Sequence, residues 1–445
     1  MPSADGHGTV DTVDYHLAVP WFGWLYWLPM RRALRRHASE QAMPWWSPPD
    51  RLDQRAASVM GLLAAAALIV GYVNTLFTQT VAFAATEFHV SKSAQGNAGS
   101  IVRAGIVLTL PLVFLADRWG RRRAMVVAAF AAPSIAMLGA LAPSFAVLTA
   151  TQTVARPLGL ALDILIAVVA AEEMPRSSRA YAVSVLTMAS GLGAGLAVMA
   201  LKLADFDVSA WRWIYALAAV LLVVAVDLAR RLPETRRFIA PHAVAPRYNR
   251  SRYRLLLTSA FFANIFVAPA SFYQNLYLKE VRHFSGGRIS LFTLTTSTPI
   301  GLGILVGGRL ADTRGRRLVG AVAVTLGAAL LIASFAVGGW PMWTSGALGG
   351  IVSGAAVPTL VVYRTELFPT SQRGRAGGLI TASALVGGTI GLQIAGRLLD
   401  RQVGYGPIMA GLGSCELVVA ALVLLRYPET AHLELEELNP EDQRG

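Results

Sequence analysis

The chain has a single cysteine, Cys415, and only 15% of its residues are charged. One cysteine excludes an intrachain disulfide framework and any cysteine-based metal site. A soluble domain carries about 25% charged residues, so this chain has too little polar surface to cover itself in water. The sequence also contains no HExxH, no phosphate-binding loop and no GxSxG. The sequence therefore gives no indication of an enzyme, and we expect neither a cofactor nor a metal.

The chain is rich in long runs of apolar residues. Hydrophobic residues make up 54% of it and the mean hydropathy is +0.51, with runs of the roughly 17–25 residues that cross a bilayer. The net charge of +13 sits in short arginine clusters between these runs, not along one solvated face, which argues against nucleic-acid binding. The apolar runs and their flanking charges predict twelve membrane spans: 59–84, 96–116, 124–142, 145–171, 180–203, 211–231, 253–278, 289–311, 318–337, 342–362, 376–399 and 407–426.

Three motifs recur along the chain with nearly the same displacement. The pairs are 115–122 with 310–317 (195 residues), Glu172, Pro175 and Arg179 with Glu366, Pro369 and Arg373 (194 residues), and 233–235 with 428–430 (195 residues). A shared offset indicates an internal duplication. The sequence therefore predicts an all-α integral membrane protein of two six-helix bundles, 59–231 and 253–426, with a basic connector at 232–252.

The segments outside the bundles are 1–58 and 427–445. Val19–Met30 is apolar and aromatic but too short to span a membrane, and no cleavage site marks it as a secretory signal. The arginines at 31, 32, 35 and 36 follow it at helical spacing, which favours a helix lying in the membrane interface. A disordered basic tail is the alternative.

Arginine and lysine are distributed unevenly between the two sets of loops. The clusters at 31–55, 118–123, 176–179, 230–254, 309–317 and 364–375 all fall on one side of the predicted spans. By the positive-inside rule that side is cytoplasmic, so both termini are expected in the cytoplasm. The alanine- and arginine-rich composition suggests a bacterial inner membrane.

At this point the motifs carry a resemblance to the major facilitator superfamily over roughly 59–430. The family's loop motif Gly-x-Leu-Ala-Asp-Arg-x-Gly-Arg-Arg corresponds to 113–122 and 308–317, with Val113 and Thr313 as departures. The Glu-x-x-Pro-x-x-x-Arg motif, Trp211-Arg212-Trp213 and the two Pro-Glu-Thr triplets are similar to the sugar-porter and metabolite:proton-symporter branches. The resemblance implies two bundles that rock about a central site reached alternately from each side.

The acids in these loops predict a cytoplasmic gate. Carboxylates at a basic membrane face need partners, and charge pairs there can join the bundles in one state and release them in the other. Arg122, Arg123 and Arg317 are assigned only to the positive-inside rule. The predicted gate residues are Asp117, Arg118, Gly120, Arg121, Glu172, Arg179, Glu234, Arg236, Asp312, Gly315, Arg316, Glu366, Arg373 and Glu429.

Ionisable residues inside the spans are few: Arg103, Arg156, Asp163, Asp227 and Glu416. Each costs about 2.5–3.5 kcal/mol at bilayer depth, so each is a candidate site residue. Arg156 either binds an anionic substrate group or pairs with Asp163, two turns along the same helix face. Asp227 is expected to be an ordinary interfacial acid, and Glu416 has no evident role.

The candidate site departs from the proton-coupled sugar porters. Asn74 stands where that branch carries an acidic residue, and an amide cannot carry the coupling proton. Asp163 is then the best remaining proton carrier; if it stays ionised throughout, a uniporter or exchanger results. In the second bundle, Gln274, Asn275 and Gln393 resemble the amides that bind hydroxyls in the sugar-porter branch.

The sequence thus predicts a secondary active transporter of a small polar metabolite. Two arginines in the membrane favour an organic anion over a sugar, with a proton as the expected co-substrate. We expect a monomer in the lipid bilayer, with no nucleic-acid partner. The alternatives are an exporter of amphipathic drugs and a non-transporting sensor or scaffold on the same fold.

Overall fold

The fold is helical throughout the part of the chain that the structure describes. The computed structural model describes residues 20–35, 52–109, 111–112, 116, 119–175, 178–234, 250–368 and 373–430. No strand occurs in these ranges, as expected for apolar segments that must satisfy their backbone polar groups within one helix. Nine helices in the described ranges are long and apolar enough to cross a membrane.

The first bundle follows the predicted spans to within a few residues. Span 3 begins after Gly120, whose positive φ of 96° turns the chain. The ranges of spans 1 to 6 are Gln54–Glu87; Lys92–Ala104 with a 3-10 turn at Gly105–Leu108; Arg121–Leu138 with Gly139–Leu141; Phe145–Glu173; Arg179–Met199 with Ala200–Asp205; and Trp211–Ala216, Leu217–Val220 and Leu221–Arg231.

The second bundle repeats this order. Span 9 begins after Gly315, which has a φ of 91° and occupies the position of Gly120 in the repeat. The ranges of spans 7 to 12 are Arg250–Glu280; Gly286–Ser297 and Ile300–Arg314; Arg316–Ala336; Gly339–Glu366; Arg373–Asp400; and Tyr405–Gly413 with Cys415–Arg426.

Some predicted spans are interrupted in the structure. Span 8 breaks at Thr298–Pro299, since proline has no amide hydrogen to continue the helix ladder. Span 12 breaks at Ser414, and span 2 tightens into a 3-10 turn immediately after Arg103 and Ala104. Such interruptions in transporter helices favour functional positions, because unwound backbone is tolerated only where protein or a cavity surrounds it.

Glycines set the close packing of each bundle in the same way. A Cβ on Gly71 of span 1 would overlap the carbonyl oxygen of Ser190 in span 5, and a Cβ on Gly387 of span 11 would overlap that of Phe261 in span 7. Small residues allow helix backbones to approach this closely in membrane proteins. The internal repeat is therefore visible in the packing as well as in the motifs.

The N-terminal helix runs over Gly23–Arg35 and contacts span 6 through the residues that precede it. The Trp21 indole donates to Asp227 at 2.9 Å, and Arg231 pairs with the same carboxylate at 2.8 Å. Asp227, expected to be an ordinary interfacial acid, thus pairs with the arginine one turn further along its own helix. Trp24 is 73% exposed, and a position of this helix in the membrane interface stays a prediction.

Candidate substrate site and gates

Spans 2 and 4 are held together beside two of the predicted arginines. In span 4, Pro157 cannot donate to the carbonyl of Thr153 four residues earlier. Gly105 of span 2 packs against that carbonyl, since an added Cβ would lie 2.6 Å from its oxygen. The Thr109 hydroxyl donates to the Pro157 carbonyl at 3.2 Å. The 3-10 turn of span 2 and Pro157 of span 4 therefore lie at one level.

Arg103 and Arg156 are brought together at this level. Their guanidinium charges lie close enough to repel each other. Arg103 lies in the last turn of the α-helical part of span 2, where the partial negative charge of a helix C-terminus favours a cation. The Nε atom of Arg156 is buried and has no hydrogen-bond partner. Among the described residues no carboxylate lies within ion-pair distance of either guanidinium.

Asn74 contacts span 4 one turn beyond Arg156, and Asp163 follows one turn further along the same helix. A Cβ on Gly159 would lie 2.9 Å from the Asn74 Oδ1 atom, and that oxygen is buried without a hydrogen-bond partner. Asp163, one turn beyond Gly159, is exposed. The ion pair between Arg156 and Asp163, one of the two possibilities left open by the sequence, is not formed. Asn74, Arg156 and Asp163 thus leave polar groups available on the side of span 4 that carries Gly159.

Arg103 reaches the boundary between the bundles. A Cβ on Gly388 of span 11 would lie 3.4 Å from the Arg103 Nη1 atom, next to Ala268 and the carbonyl of Asn264 in span 7. The site is therefore bounded by spans 1, 2 and 4 on one side and by spans 7 and 11 on the other. Asn264 was not singled out from the sequence, because a lone amide in an apolar run carries no pattern.

The predicted amides of the second bundle have different environments. Gln274 and Gln393 are half-buried. The Asn275 amide is buried and donates to both the side-chain and the carbonyl oxygen of Gln79 in span 1, each at 2.8 Å. Asn275 joins the two bundles in this structure, and a role in substrate binding stays a prediction for all three amides.

Glu416 lies two residues beyond the break in span 12. Its side chain is only 5% exposed, and a Cβ on the nearby Gly413 would contact Ile332 of span 9 and Phe266 of span 7. It is therefore packed inside the second bundle, away from the residues gathered around Arg156.

The chain turns at Gly120 and at Gly315, and at each of these glycine turns a predicted gate glutamate contacts the glycine. The Glu234 carboxylate accepts the Arg122 amide at 3.2 Å, and a Cβ on Gly120 would lie 2.6 Å from Glu234 Oε2. A carboxylate at a helix N-terminus satisfies free amides and the local partial positive charge. Each Pro-Glu-Thr glutamate therefore caps the helix that follows the loop motif of its own bundle.

The second bundle repeats this cap. Glu429 accepts the amides of Arg316 at 2.9 Å and Arg317 at 3.2 Å, and a Cβ on Gly315 would lie 2.9 Å from its Oε2 atom. The Arg316 side chain donates to Thr430 at 2.9 Å, whereas Arg121 in the first bundle donates to the Ala116 carbonyl at 3.2 Å.

The assignment of Arg122 and Arg317 to the positive-inside rule alone is wrong. The Arg122 guanidinium donates to the carbonyls of Leu232 and Ala229, both at 2.7 Å, at the end of span 6. Arg317 donates to the carbonyl of Leu424 near the end of span 12. These arginines bind the carbonyl groups that a helix C-terminus leaves unpaired, which no sequence pattern reveals.

The remaining predicted gate residues lie outside the described part of the chain, wholly or by their side chains. Asp117, Arg118 and Arg236 fall in segments that the structure does not describe. For the others the backbone is helical and the side chain falls outside the described part: Glu172, Arg179, Asp312, Glu366 and Arg373.

The described part of the first bundle contains two ion pairs that the sequence did not predict. Arg55, at the start of span 1, pairs with Glu173 at 3.2 Å and donates to the Glu234 carbonyl at 2.9 Å. At the other end of the bundle, Glu87 accepts from Arg212 at 2.7 Å and from the Trp211 indole at 2.6 Å. The Trp-Arg-Trp motif is therefore the anchor that fixes span 6 to the end of span 1.

The twelve-helix fold, its repeat and the ionisable residues between the bundles define a membrane transporter and not an enzyme. The family model described as Major Facilitator Superfamily matches residues 63–298 and 255–442. The chain belongs to this family.

Relatives agree with this assignment. A gentisate transporter of Corynebacterium glutamicum is 24% identical over 411 residues, covering 85% of this chain and 92% of that protein. The inward open structure of the xylose transporter XylE from E. coli has a TM-score of 0.71 at 18% identity, covering 87% of this chain and 99% of that one. A bacterial homologue of the human lysosomal transporter Spinster has a TM-score of 0.68 at 16% identity, covering 88% and 98%.

Proposed function

We propose that this transporter moves a small organic anion, with an aromatic carboxylate as the preferred class, by alternating access. The observation that carries the proposal is the pair Arg103 and Arg156, two charges that repel each other with no described carboxylate beside them. Uncompensated charge at this depth is costly, and a bound anion supplies the missing counter-charge. The fork of a guanidinium binds a carboxylate through two parallel hydrogen bonds.

The relative from Corynebacterium glutamicum supports the substrate class, since gentisate is an aromatic carboxylate. The amide of Asn74, whose oxygen is buried and unpaired, is suited to a hydroxyl group on the ring. A lipophilic cation would add a third positive charge to the site, so the drug-exporter alternative is disfavoured.

Proton coupling through Asp163 forms the second part of the proposal. Asp163 is exposed and lies two turns from Arg156 on the same helix face, so it can exchange protons without breaking an ion pair. Protonation of Asp163 alongside an anion keeps the net charge of the loaded site nearly constant, which favours movement of the two together. If Asp163 stays ionised, the protein is a uniporter or exchanger.

The substrate class is tested by a thermal-shift screen of the purified protein with benzoates, sugars and lipophilic cations. A ligand that binds only the folded state raises its apparent stability. We expect stabilisation by aromatic carboxylates that is lost in Arg156→Ala and retained in Arg401→Ala, a variant at an exposed arginine. Stabilisation by sugars or cations that is indifferent to Arg156→Ala would refute the proposal.

We further propose that the arginine-rich loops face the cytoplasm of a bacterial inner membrane. The uneven distribution of arginine supports this orientation. A reporter that is active only outside the cytoplasm should be active when it is fused in the 206–210 loop and inactive when it is fused at 119–120. The opposite pattern would invert the topology.

A further inference from the structure

Two aspartates each bind the first backbone amides of a helix in the other bundle. Asp205 ends span 5 and accepts hydrogen bonds from the amides of Gly286 and Gly287 at the start of span 8, the second at 2.8 Å. Asp400 ends span 11 and accepts from the amides of Lys92 and Ser93 at the start of span 2, at 2.8 and 3.0 Å. The first amides of a helix have no partner within it and carry partial positive charge.

These contacts are related by the internal repeat. Asp205 and Asp400 are 195 residues apart, and Lys92 and Gly286 are 194 residues apart. The same displacements relate the loop motifs. Each repeat therefore contributes one carboxylate and one helix N-terminus, and each carboxylate crosses to the bundle of the other repeat.

Both contacts lie at the arginine-poor end, which we define by the loops at 88–91, 206–210, 281–285 and 401–404. Glycine is required for one of them, since a Cβ on Gly286 would overlap the Leu201 carbonyl and lie 3.0 Å from Asp205 Oδ1.

Other bonds between the bundles surround the two aspartates. Lys92 Nζ pairs with Glu280 at 2.9 Å, the Tyr273 hydroxyl donates to the Lys92 carbonyl at 3.0 Å, and Lys279 donates to Thr86 at 2.8 Å. The arginine-poor end is thus held closed by a polar layer in which the two aspartates are the symmetric elements.

We propose that Asp205 and Asp400 are the paired gate at the arginine-poor end of the transport pathway. Opening the site at this end separates span 8 from span 5 and span 2 from span 11, so both carboxylates must leave their helix termini. The contacts exist in one state and not in the other, which is the requirement for a residue to shift the balance between states. The inference rests on the alternating access of the proposed function, and it adds a gate opposite the predicted cytoplasmic one.

The test measures the distance between the bundles directly. Spin labels at Val208 and Trp340, exposed residues of the arginine-poor end in different bundles, are introduced in a Cys415→Ser background and read by double electron–electron resonance. Replacing each carboxylate by its amide keeps the shape and removes the charge. We expect Asp205→Asn and Asp400→Asn each to raise the ratio of open to closed distances roughly fivefold, and the double variant to raise it roughly 25-fold.

Asp207→Asn is the matched control. Asp207 lies in the loop that follows Asp205 but accepts from the Ser209 hydroxyl of that loop at 2.8 Å, so its neutralisation should leave the distances unchanged. An unchanged distribution in the double variant would overturn the gate.

A second experiment tests the same gate by holding it shut. In the Cys415→Ser background, the double variant Ser93→Cys, Asp400→Cys should lose its remaining transport when a short bismaleimide joins the two cysteines, compared with the same double variant before the cross-linker is added. Transport that continues after cross-linking would overturn the gate as well. If the protein binds no aromatic carboxylate but the aspartate variants still change the spin-label distances, the proposed substrate is refuted and the proposed gate is not.

Discussion

Arg103 and Arg156 bring two like charges on adjacent spans close enough to repel each other, at the level of the 3-10 turn of span 2 and of Pro157 in span 4. The arrangement costs folding free energy, because repulsion and desolvation both oppose it. Functional sites often lower the stability of a protein in this way, and here a bound anion would offset the repulsion between the two guanidinium groups.

Neutralising either arginine should therefore stabilise the ligand-free protein. We expect Arg103→Gln and Arg156→Gln to raise its melting temperature by about 2–4 °C, the shift that about 1 kcal/mol produces in a unit of 150–250 residues. Carboxylate affinity should fall roughly 10- to 100-fold at the same time. Differential scanning fluorimetry with and without ligand measures both effects. A melting temperature several degrees lower would instead identify the arginine as a structural residue.

Coupling to protons should depend on Asp163. In proteoliposomes, Asp163→Asn is expected to abolish substrate accumulation driven by an imposed pH gradient while leaving counterflow exchange active, because exchange needs no net proton movement. Asp207→Asn, in an exposed loop, serves as the control. Accumulation that persists in the Asp163 variant would show that the coupling proton binds elsewhere.

The two glycine turns should be intolerant of any side chain. Gly120 (φ 96°, ψ 149°) and Gly315 (φ 91°, ψ 142°) occupy a backbone region that is nearly exclusive to glycine, at a cost of about 1–3 kcal/mol for other residues. An added Cβ would also displace the capping glutamates. We expect Gly120→Ala and Gly315→Ala to lower thermal stability. Gly191→Ala and Gly411→Ala, whose added Cβ meets nothing within 4 Å, should be neutral, and equal effects at all four sites would contradict this account.

Replacing Arg212 by lysine should lower the stability of the protein. Its guanidinium donates to the carbonyls of Ala140 and Ala142 at 3.0 and 2.7 Å, pairs with Glu87 at 2.7 Å, and lies 4.8 Å from the centroid of the Trp211 ring. An ammonium group cannot reproduce this planar set of bonds. Arg212→Lys should therefore cost about 1–3 kcal/mol, seen as a lower melting temperature. Arg401→Lys should leave stability unchanged, and so should Arg212→Lys if the motif were only a charge.

The prediction of helices from the sequence was confirmed closely because membrane helices are specified locally. Apolar length and flanking charge predicted span 4 at 145–171, and the helix runs over Phe145–Glu173. The interruption of span 2 after Arg103 was not predicted, since it depends on the contact of Gly105 with Thr153 in another helix. The grouping of Arg156 with Asn74 likewise needed the packing of spans 1 and 4.

The sequence by itself determined the membrane class, the duplication and the residue types that could carry function, since these follow from composition and from spacing along one chain. The tertiary structure alone decided the partners of these residues. It separated Arg156 from Asp163, set Glu234 on the helix after Gly120, and directed Asp400 to the amides of Lys92 and Ser93. The physical reason is that most of these partners are backbone groups. Backbone amides and carbonyls are the same in every residue but proline, so only the packing of helices distant in sequence selects which of them a side chain meets.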